Sequence, residues 1–220
     1  MTETRSAPVE GLRERKKRQT RLHISDVATG LFLERGFDAV TVAEIAEAAD
    51  VSVNTVYNYF SAKEDLFFDR SEEFARRLPR IVKERAPGES AAAAALRGMR
   101  TDLAELSPSL GLVEGYVRFL RVMRESPALL VRLHMMEHEY QCELARTLRE
   151  EAGEGPDDPL PDLVAGQLAW LEGVVFEAVA EATLEGASPE LAAALAAARL
   201  DAAVPLLGEK VLAYAVKPVT

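Results

Sequence analysis

One cysteine in 220 residues, Cys142, leaves no internal disulfide framework and no thiolate-rich zinc site, which agrees with a reducing compartment. The lone thiol reads as a small buried apolar side chain. Also missing is any uncharged apolar run of the roughly 18 to 20 residues that a membrane span needs, and the N-terminus is charged rather than signal-like. A cytoplasmic protein with no membrane partner is expected. Alternating apolar and polar runs bounded by turn residues are nearly absent, which argues against a β-rich fold. No nucleophile elbow, phosphate-cradling glycine loop or dinucleotide fingerprint occurs, and the glycines mostly mark helix ends. Enzymatic function therefore has no motif to rest on, and no cofactor is expected.

What is present describes a packed protein: 48% of the residues are hydrophobic and 28% charged. The length suits a small domain joined to a larger one. A net charge of −10 argues at first against a nucleic-acid partner, since phosphates call for concentrated positive charge. The distribution answers the objection. Between Gly11 and Ser25, the six cations Arg13, Arg15, Lys16, Lys17, Arg18 and Arg21 face Glu14 alone, a net of +5 that leaves −15 on the rest of the chain. Such segregation suits a basic segment held to DNA by a body that DNA otherwise repels.

Helix punctuation is frequent, and it predicts an all-α fold of about nine helices. Ile24, Val27, Ala28, Leu31 and Phe32 share one helical face, which Gly36 ends. Thr41 with Glu44, and Ser61 with Glu64, match capping boxes. Ser107-Pro108, Ser126-Pro127 and Ser188-Pro189 each read as an N-cap followed by a first-turn proline, and so as three further helix starts. Pro87-Gly88 separates a long helix starting near Ala62 from an alanine-rich one starting near Ser90, and Gly153 to Pro161 forms a polar connection.

The segment from Thr41 to Phe67 carries the most information. A short helix from Val42 to Ala49 packs inward through Val42, Ile45, Ala46 and Ala49. After a tight turn at Asp50 and Val51, a second helix starts at the N-cap Ser52 and runs to about Tyr59. Two short helices so joined make a helix-turn-helix. With Val56 and Phe60 facing the core, Val53, Asn54, Thr55, Tyr57, Asn58 and Tyr59 spread over the exposed remainder. Asn54 and Asn58 can bond base edges, adenine above all, and Val53 can meet a thymine methyl. Thr55, Tyr57 and Tyr59 suit phosphate oxygens, as do the first-turn amides after Thr41 and near Lys63, with the ammonium of Lys63 beside them. Packing alone is an equally good account of either tyrosine taken singly, though a poor one for the whole polar face.

FLERGF at Phe32 to Phe37, Thr41-Val42-Ala43-Glu44-Ile45-Ala46, Val51-Ser52 followed by Thr55-Val56-Tyr57-Asn58-Tyr59-Phe60, and Lys63-Glu64-Asp65-Leu66 resemble the tetracycline-repressor-like (TetR) family of bacterial regulators. The resemblance covers about residues 15 to 67. It implies a three-helix DNA-binding head, a fourth helix linking it to a divergent ligand-binding body, and dimerisation through a four-helix bundle of the last two long helices. It also implies that Thr41, Ser52, Thr55, Tyr59 and Lys63 hold phosphates while Val53, Asn54, Tyr57 and Asn58 face bases. One departure is Asp50 at a turn position commonly glycine in the family. Aspartate tolerates the left-handed conformation better than most residues.

The expected organisation is a flexible basic arm at 1–20 contributing Lys16, Lys17 and Arg18, a helix-turn-helix domain at 21–66, and a ligand-binding and dimerisation domain at 67–220. The expected partners are double-stranded operator DNA, a small and largely apolar effector, and a second copy of the chain. Tyr116, Phe119, Met123, His134, Trp170 and Phe176, with Leu120 and Leu130, are candidates for the effector cavity, although each also reads as plain core. Leu163, Gln167, Leu168, Leu171, Val174, Val175, Ala178 and Ala182 form one stripe for the dimer, and Leu191, Ala194, Leu195 and Ala198 another. The helix starting near Ala62 is expected to pack Phe67, Phe74, Leu78 and Ile81 against the body and to carry movement from ligand to DNA. His134-Met135-Met136-Glu137-His138 spells an inverted zinc-peptidase pattern, leaving a metal-sensing regulator through His134 and His138, or a remote metal-dependent hydrolase, as alternatives. The preferred reading holds no metal and no catalytic residue.

Overall fold

The computed structural model describes residues 11–69, 77–153, 155 and 157–219. Among them are eleven α-helices, two short 3-10 turns and no strand, against about nine helices expected. The chain divides into two compact units, Met1–Asp69 and Arg70–Thr220, called here the head and the body.

The head contains α1 (Leu12–Arg35), α2 (Val42–Ala48), α3 (Val53–Tyr59) and α4 (Lys63–Phe68). Helix α1 corrects the expected arm, because residues 12–20 are already helical. The Gly11 carbonyl accepts from Arg15 N at 3.0 Å, and arginine, lysine and glutamine are strong helix formers. Ile24, Ala28 and Phe32 bury one face of α1, and Gly36 closes it at φ +83. Thr41 caps α2 in a full capping box. At α4 the expected box is displaced by one residue. Ala62 is the N-cap, and its amide donates to Asp65 Oδ2 at 3.0 Å, so Asp65 does what Glu64 was expected to do. Five phenylalanines contribute to the head core, where Phe67 lies 6.0 Å from Phe32 and 6.1 Å from Phe37, centroid to centroid. That places Phe67 in the head's own core.

The body contains α5 (Arg77–Lys83), α6 (Ala91–Ala104), α7 (Tyr116–Glu125), α8 (Pro127–Ala152), α9 (Leu160–Leu184), α10 (Pro189–Ala203) and α11 (Glu209–Leu212). Ser107-Pro108 does not open a long helix. Pro108–Leu110 is a single 3-10 turn ended by left-handed Gly111, and α7 starts only at Tyr116. Gly98 lets α5 and α6 approach closely, since a Cβ there would come within 2.7 Å of Ile81 Cδ1. Leu78 is buried in the body core, while Phe74 lies outside the described residues.

At the centre lies α9, packed against α8 and α10. By length and composition alone α9 is apolar enough to cross a membrane, although Asp162, Glu172, Glu177 and Glu181 interrupt it and leave no long uncharged run. Its Val164, Leu168, Leu171 and Val175 are buried in the chain's own core, as a central helix requires. The C-terminal residues are stitched back onto the connection between α5 and α6. Gly88 N donates to Lys217 O, Lys217 N to Glu89 O, and the Ser90 hydroxyl to Leu212 O.

Candidate nucleic-acid interface

The interface is built by the packing between α2 and α3. Ala46, nearly inaccessible, lets the helices approach, and its carbonyl accepts from Val51 N at 2.9 Å to close the turn. Asp50 takes φ +54, the left-handed value that the turn requires. Helix α3 starts at Ser52, whose Oγ accepts from Thr55 N at 3.0 Å and lies 2.8 Å from Thr55 Oγ1. Val56 and Phe60 are buried beneath it.

This leaves Val53, Asn54, Tyr57 and Asn58 exposed on one side of α3, with Thr55 and Tyr59 half-buried at its edges. The exposed residues carry amides, a phenol and a methyl-bearing side chain but no charge, the chemistry that reads base edges. Lys17, Arg18 and Arg21 from α1 converge with Glu14, Asn58 and Tyr59 around a crevice of about 360 Å³. Lys16 is exposed on the same helix. Thus the basic end of α1 and the far end of α3 share one surface, where phosphates and bases can be met together.

Two expected phosphate contacts have partners already. Thr41 Oγ1 donates to Glu44 Oε2 at 2.7 Å, and the box with Arg35 holds the Glu44 carboxyl down at about 2. What Thr41 presents to solvent is therefore a capped helix start rather than a free hydroxyl. The Lys63 ammonium lies 4.2 Å from the centroid of Phe37, a cation–π contact that draws the chain along the aromatic core. Sequence reasoning missed Arg21 as a site residue. Its Nε donates to Asp69 Oδ1 at 2.7 Å and its Nη1 to Tyr59 O at 3.2 Å. No local pattern announces contacts 48 and 38 residues away.

Residues 24–69 match the family model described as bacterial regulatory proteins, tetR family. The chain is 30% identical over 161 residues to the HTH-type transcriptional regulator TcmR of Streptomyces glaucescens, covering 70% of each protein. The chain belongs to the TetR family. It is also 34% identical across 79 residues to the regulator AcrR of Shigella flexneri, covering 34% of this chain and 37% of AcrR. The fold of this TetR-family protein resembles that of SmeT in its triclosan complex, with a TM-score of 0.56, 19% identity and coverage of 92% of this chain and 98% of SmeT. NalD of Pseudomonas aeruginosa, the secondary repressor of the MexAB-OprM multidrug efflux pump, gives a TM-score of 0.55 at 18% identity, covering 84% and 97%. The relatives are transcriptional regulators rather than enzymes.

In the body of this TetR-family regulator the candidate effector residues separate. Tyr116 and Phe119 stack with centroids 5.5 Å apart, and burial pushes the Tyr116 phenol up to about 12. Phe176 packs against the body core, and Met123 is half-buried. Two candidates lie elsewhere. The His134 side chain is 87% exposed on α8, and Trp170 is 45% exposed on α9. Neither is buried among the described residues: His134 shares its stretch of α8 with exposed Val131 and Met135, and Trp170 stands one heptad from exposed Leu163. Leu130 is exposed as well.

His134 Nδ1 meets Glu137 Oε2 at 3.6 Å, but among the described residues no group of three or more His, Cys, Asp or Glu is arranged to hold a metal. Cys142 is exposed rather than buried, with its Sγ 3.7 Å from His138 Nε2. The body also holds a polar cluster that sequence periodicity does not reveal. Arg77 pairs with Asp102 and donates through Nη2 to Gly98 O. Glu172 keeps some accessible surface but is closely enclosed by protein. That burial pushes its carboxyl up to about 7, against the pull of Arg77 and with a smaller push from Glu137.

Proposed function

We propose that this protein is a ligand-responsive repressor that binds a palindromic operator as a homodimer and leaves it when a small, largely apolar molecule enters the body. The observation that carries the DNA half of this reading is the exposed, uncharged and hydrogen-bonding face of α3 beside the basic end of α1. Val53, Asn54, Tyr57 and Asn58 serve base edges; Lys16, Lys17, Arg18, Ser52, Thr55, Tyr59, Lys63 and the capped start at Thr41 serve the backbone.

The dimer rests on apolar surface left bare by the body's own core. Leu163 (61%) and Trp170 (45%) on α9, and Leu191 (52%) and Leu195 (49%) on α10, are exposed on two helices that pack against each other. Facing the same two helices of a second copy would bury them in a four-helix arrangement. For the effector, support comes from the apolar and aromatic residues Tyr116, Phe119, Met123 and Phe176, and from a fold neighbour captured with triclosan. A coupling of about 1 to 3 kcal/mol between the two binding events would weaken operator affinity roughly 5- to 150-fold.

Selection of duplexes from a random pool by the purified protein tests the reading. Enrichment of a palindrome with half-sites about 10 base pairs, or a multiple, apart is the expected result. A pool that stays random after repeated rounds refutes sequence-specific binding.

A further inference from the structure

Arg21, one of the six cations near the N-terminus, joins α1 to two further elements of the head at once, α3 and α4. From α1 its Nε and Nη2 both lie 2.7 Å from Asp69 Oδ1, at the end of α4. Its Nη1 donates to the carbonyl of Tyr59, the last residue of α3. Its guanidinium carbon stands 4.8 Å from the ring centroid of Phe60, the residue that closes α3. The carbonyls of a helix's last turn have no partner within the helix and carry the negative end of its dipole, so a cation there is both a hydrogen-bond donor and a favourable charge. The Asp69 carboxylate is only 5% exposed, and the pair is correspondingly little screened by solvent.

Helix α3 is seven residues long, too short to be held by its own hydrogen bonds. Ser52 fixes its start, and Val56 and Phe60 fix its inner face. Arg21 fixes its far end, next to Asn58 in the same crevice. We propose that Arg21 is the positioning residue of the recognition helix and Asp69 its anchor, so that this ion pair sets how α3 meets base edges. The inference rests on the DNA-binding reading above. A planar guanidinium is needed because one group must serve Asp69 and Tyr59 in different directions while lying on Phe60. An ammonium offers the same charge without that fixed fork.

Asp69→Asn separates positioning from simple charge. Removing a negative charge from the head tightens binding to every duplex if charge alone matters. Positioning demands instead that the preference for a proper site be lost. The experiment compares wild type, Asp69→Asn, Arg21→Lys and the double variant on a duplex selected by wild type and on a scrambled duplex of equal length. Thermal unfolding and sedimentation are followed on the same samples. The expected result is that each single variant loses at least about 5-fold in the ratio of the two affinities, the worth of one good base contact. The double variant should lose no more than either single one, since both break the same link. Should Asp69→Asn fail to fold, Arg21→Lys, which preserves the charge, carries the comparison. Ratios equal to wild type in variants that fold and dimerise overturn the proposal. Failure of wild type itself to prefer the selected duplex overturns the DNA reading instead, and the proposal with it.

Discussion

Arg85 and Ala215, 130 residues apart, are joined by two hydrogen bonds from one guanidinium, Nε at 3.1 Å and Nη2 at 2.7 Å from the Ala215 carbonyl. Nη1 of Arg85 also meets Glu151 Oε2 at 2.8 Å, and the arginine is almost wholly buried. One side chain thus ties α5, α8 and the C-terminal tail together. Arg85→Ala would leave the Ala215 carbonyl and the Glu151 carboxylate without their donor. A loss of about 3 kcal/mol is expected, at the low end for a broken buried pair because Glu151 is partly exposed. Urea unfolding reads this as a lower midpoint at constant slope. An unchanged midpoint would remove Arg85 from the body's stability.

Glu172 predicts a pH dependence of the opposite sign to that of an ordinary paired carboxylate. Its pKa in the folded body is raised from 4.5 to about 7 by burial, so its contribution is fully present below 4.5 and is lost as pH rises through 7. Glu172→Gln removes that loss. The variant should gain on wild type between pH 5 and 8 by at most about 3 kcal/mol, the worth of the full shift. Parallel stability curves for the two proteins across that window would refute the burial.

The dimer prediction distinguishes two faces of the last long helices. Leu195→Asp places a carboxylate on exposed α10 surface and should yield folded monomers that no longer hold operator DNA, since burying an unpaired charge costs several kcal/mol. Val175→Asp should instead unfold the body, because Val175 is 1% exposed within the chain's own core. Sedimentation with circular dichroism separates the outcomes. Dimers persisting in Leu195→Asp would put the interface elsewhere.

Two substitutions in the head should differ in character. Lys63→Ala is expected to weaken binding to all duplexes and to lower the salt slope by about one unit, as loss of a phosphate contact does. It should also cost about 0.5 to 1 kcal/mol of stability through its contact with Phe37. Asn54→Ala should cost about 1 to 3 kcal/mol on the selected duplex alone. Filter binding across a salt series tests both. An unchanged slope in the first or a uniform loss in the second contradicts the assigned role.

The head was legible from sequence because its determinants are local. Thr41 with Glu44, Ser52 with Thr55, and the left-handed Asp50 all act within a few residues, and the buried periodicity of Ile24, Ala28 and Phe32 is read along one helix. Where a neighbouring candidate could do the same work, reading failed by one step, as with Ser61 and Glu64 against Ala62 and Asp65. In the body the pattern gave helices but not the sides they present. Leu163, Leu168, Trp170 and Val175 all fit an apolar α9, yet only packing against α8 and α10 decides that Leu168 and Val175 are core while Leu163 and Trp170 are bare. The arginines were least legible. Arg21, Arg77 and Arg85 each act across tens of residues, and periodicity carries no signal for that.

The early start of α1 has a consequence for how the chain meets its target. Its 24 residues form one continuous helix about 36 Å long, with Arg13 to Arg18 at one end and Ile24, Ala28 and Phe32 locked into the head at the other. The basic residues therefore ride on a rod rather than on a tether. A tether would have to be ordered at the moment of binding, and that lost freedom would be subtracted from its affinity. A rod has already been ordered by folding. It fixes the spacing of its charges relative to α3, so that, on the DNA-binding reading proposed above, cations which attract any phosphate would also help to decide which alignment of the duplex is met first.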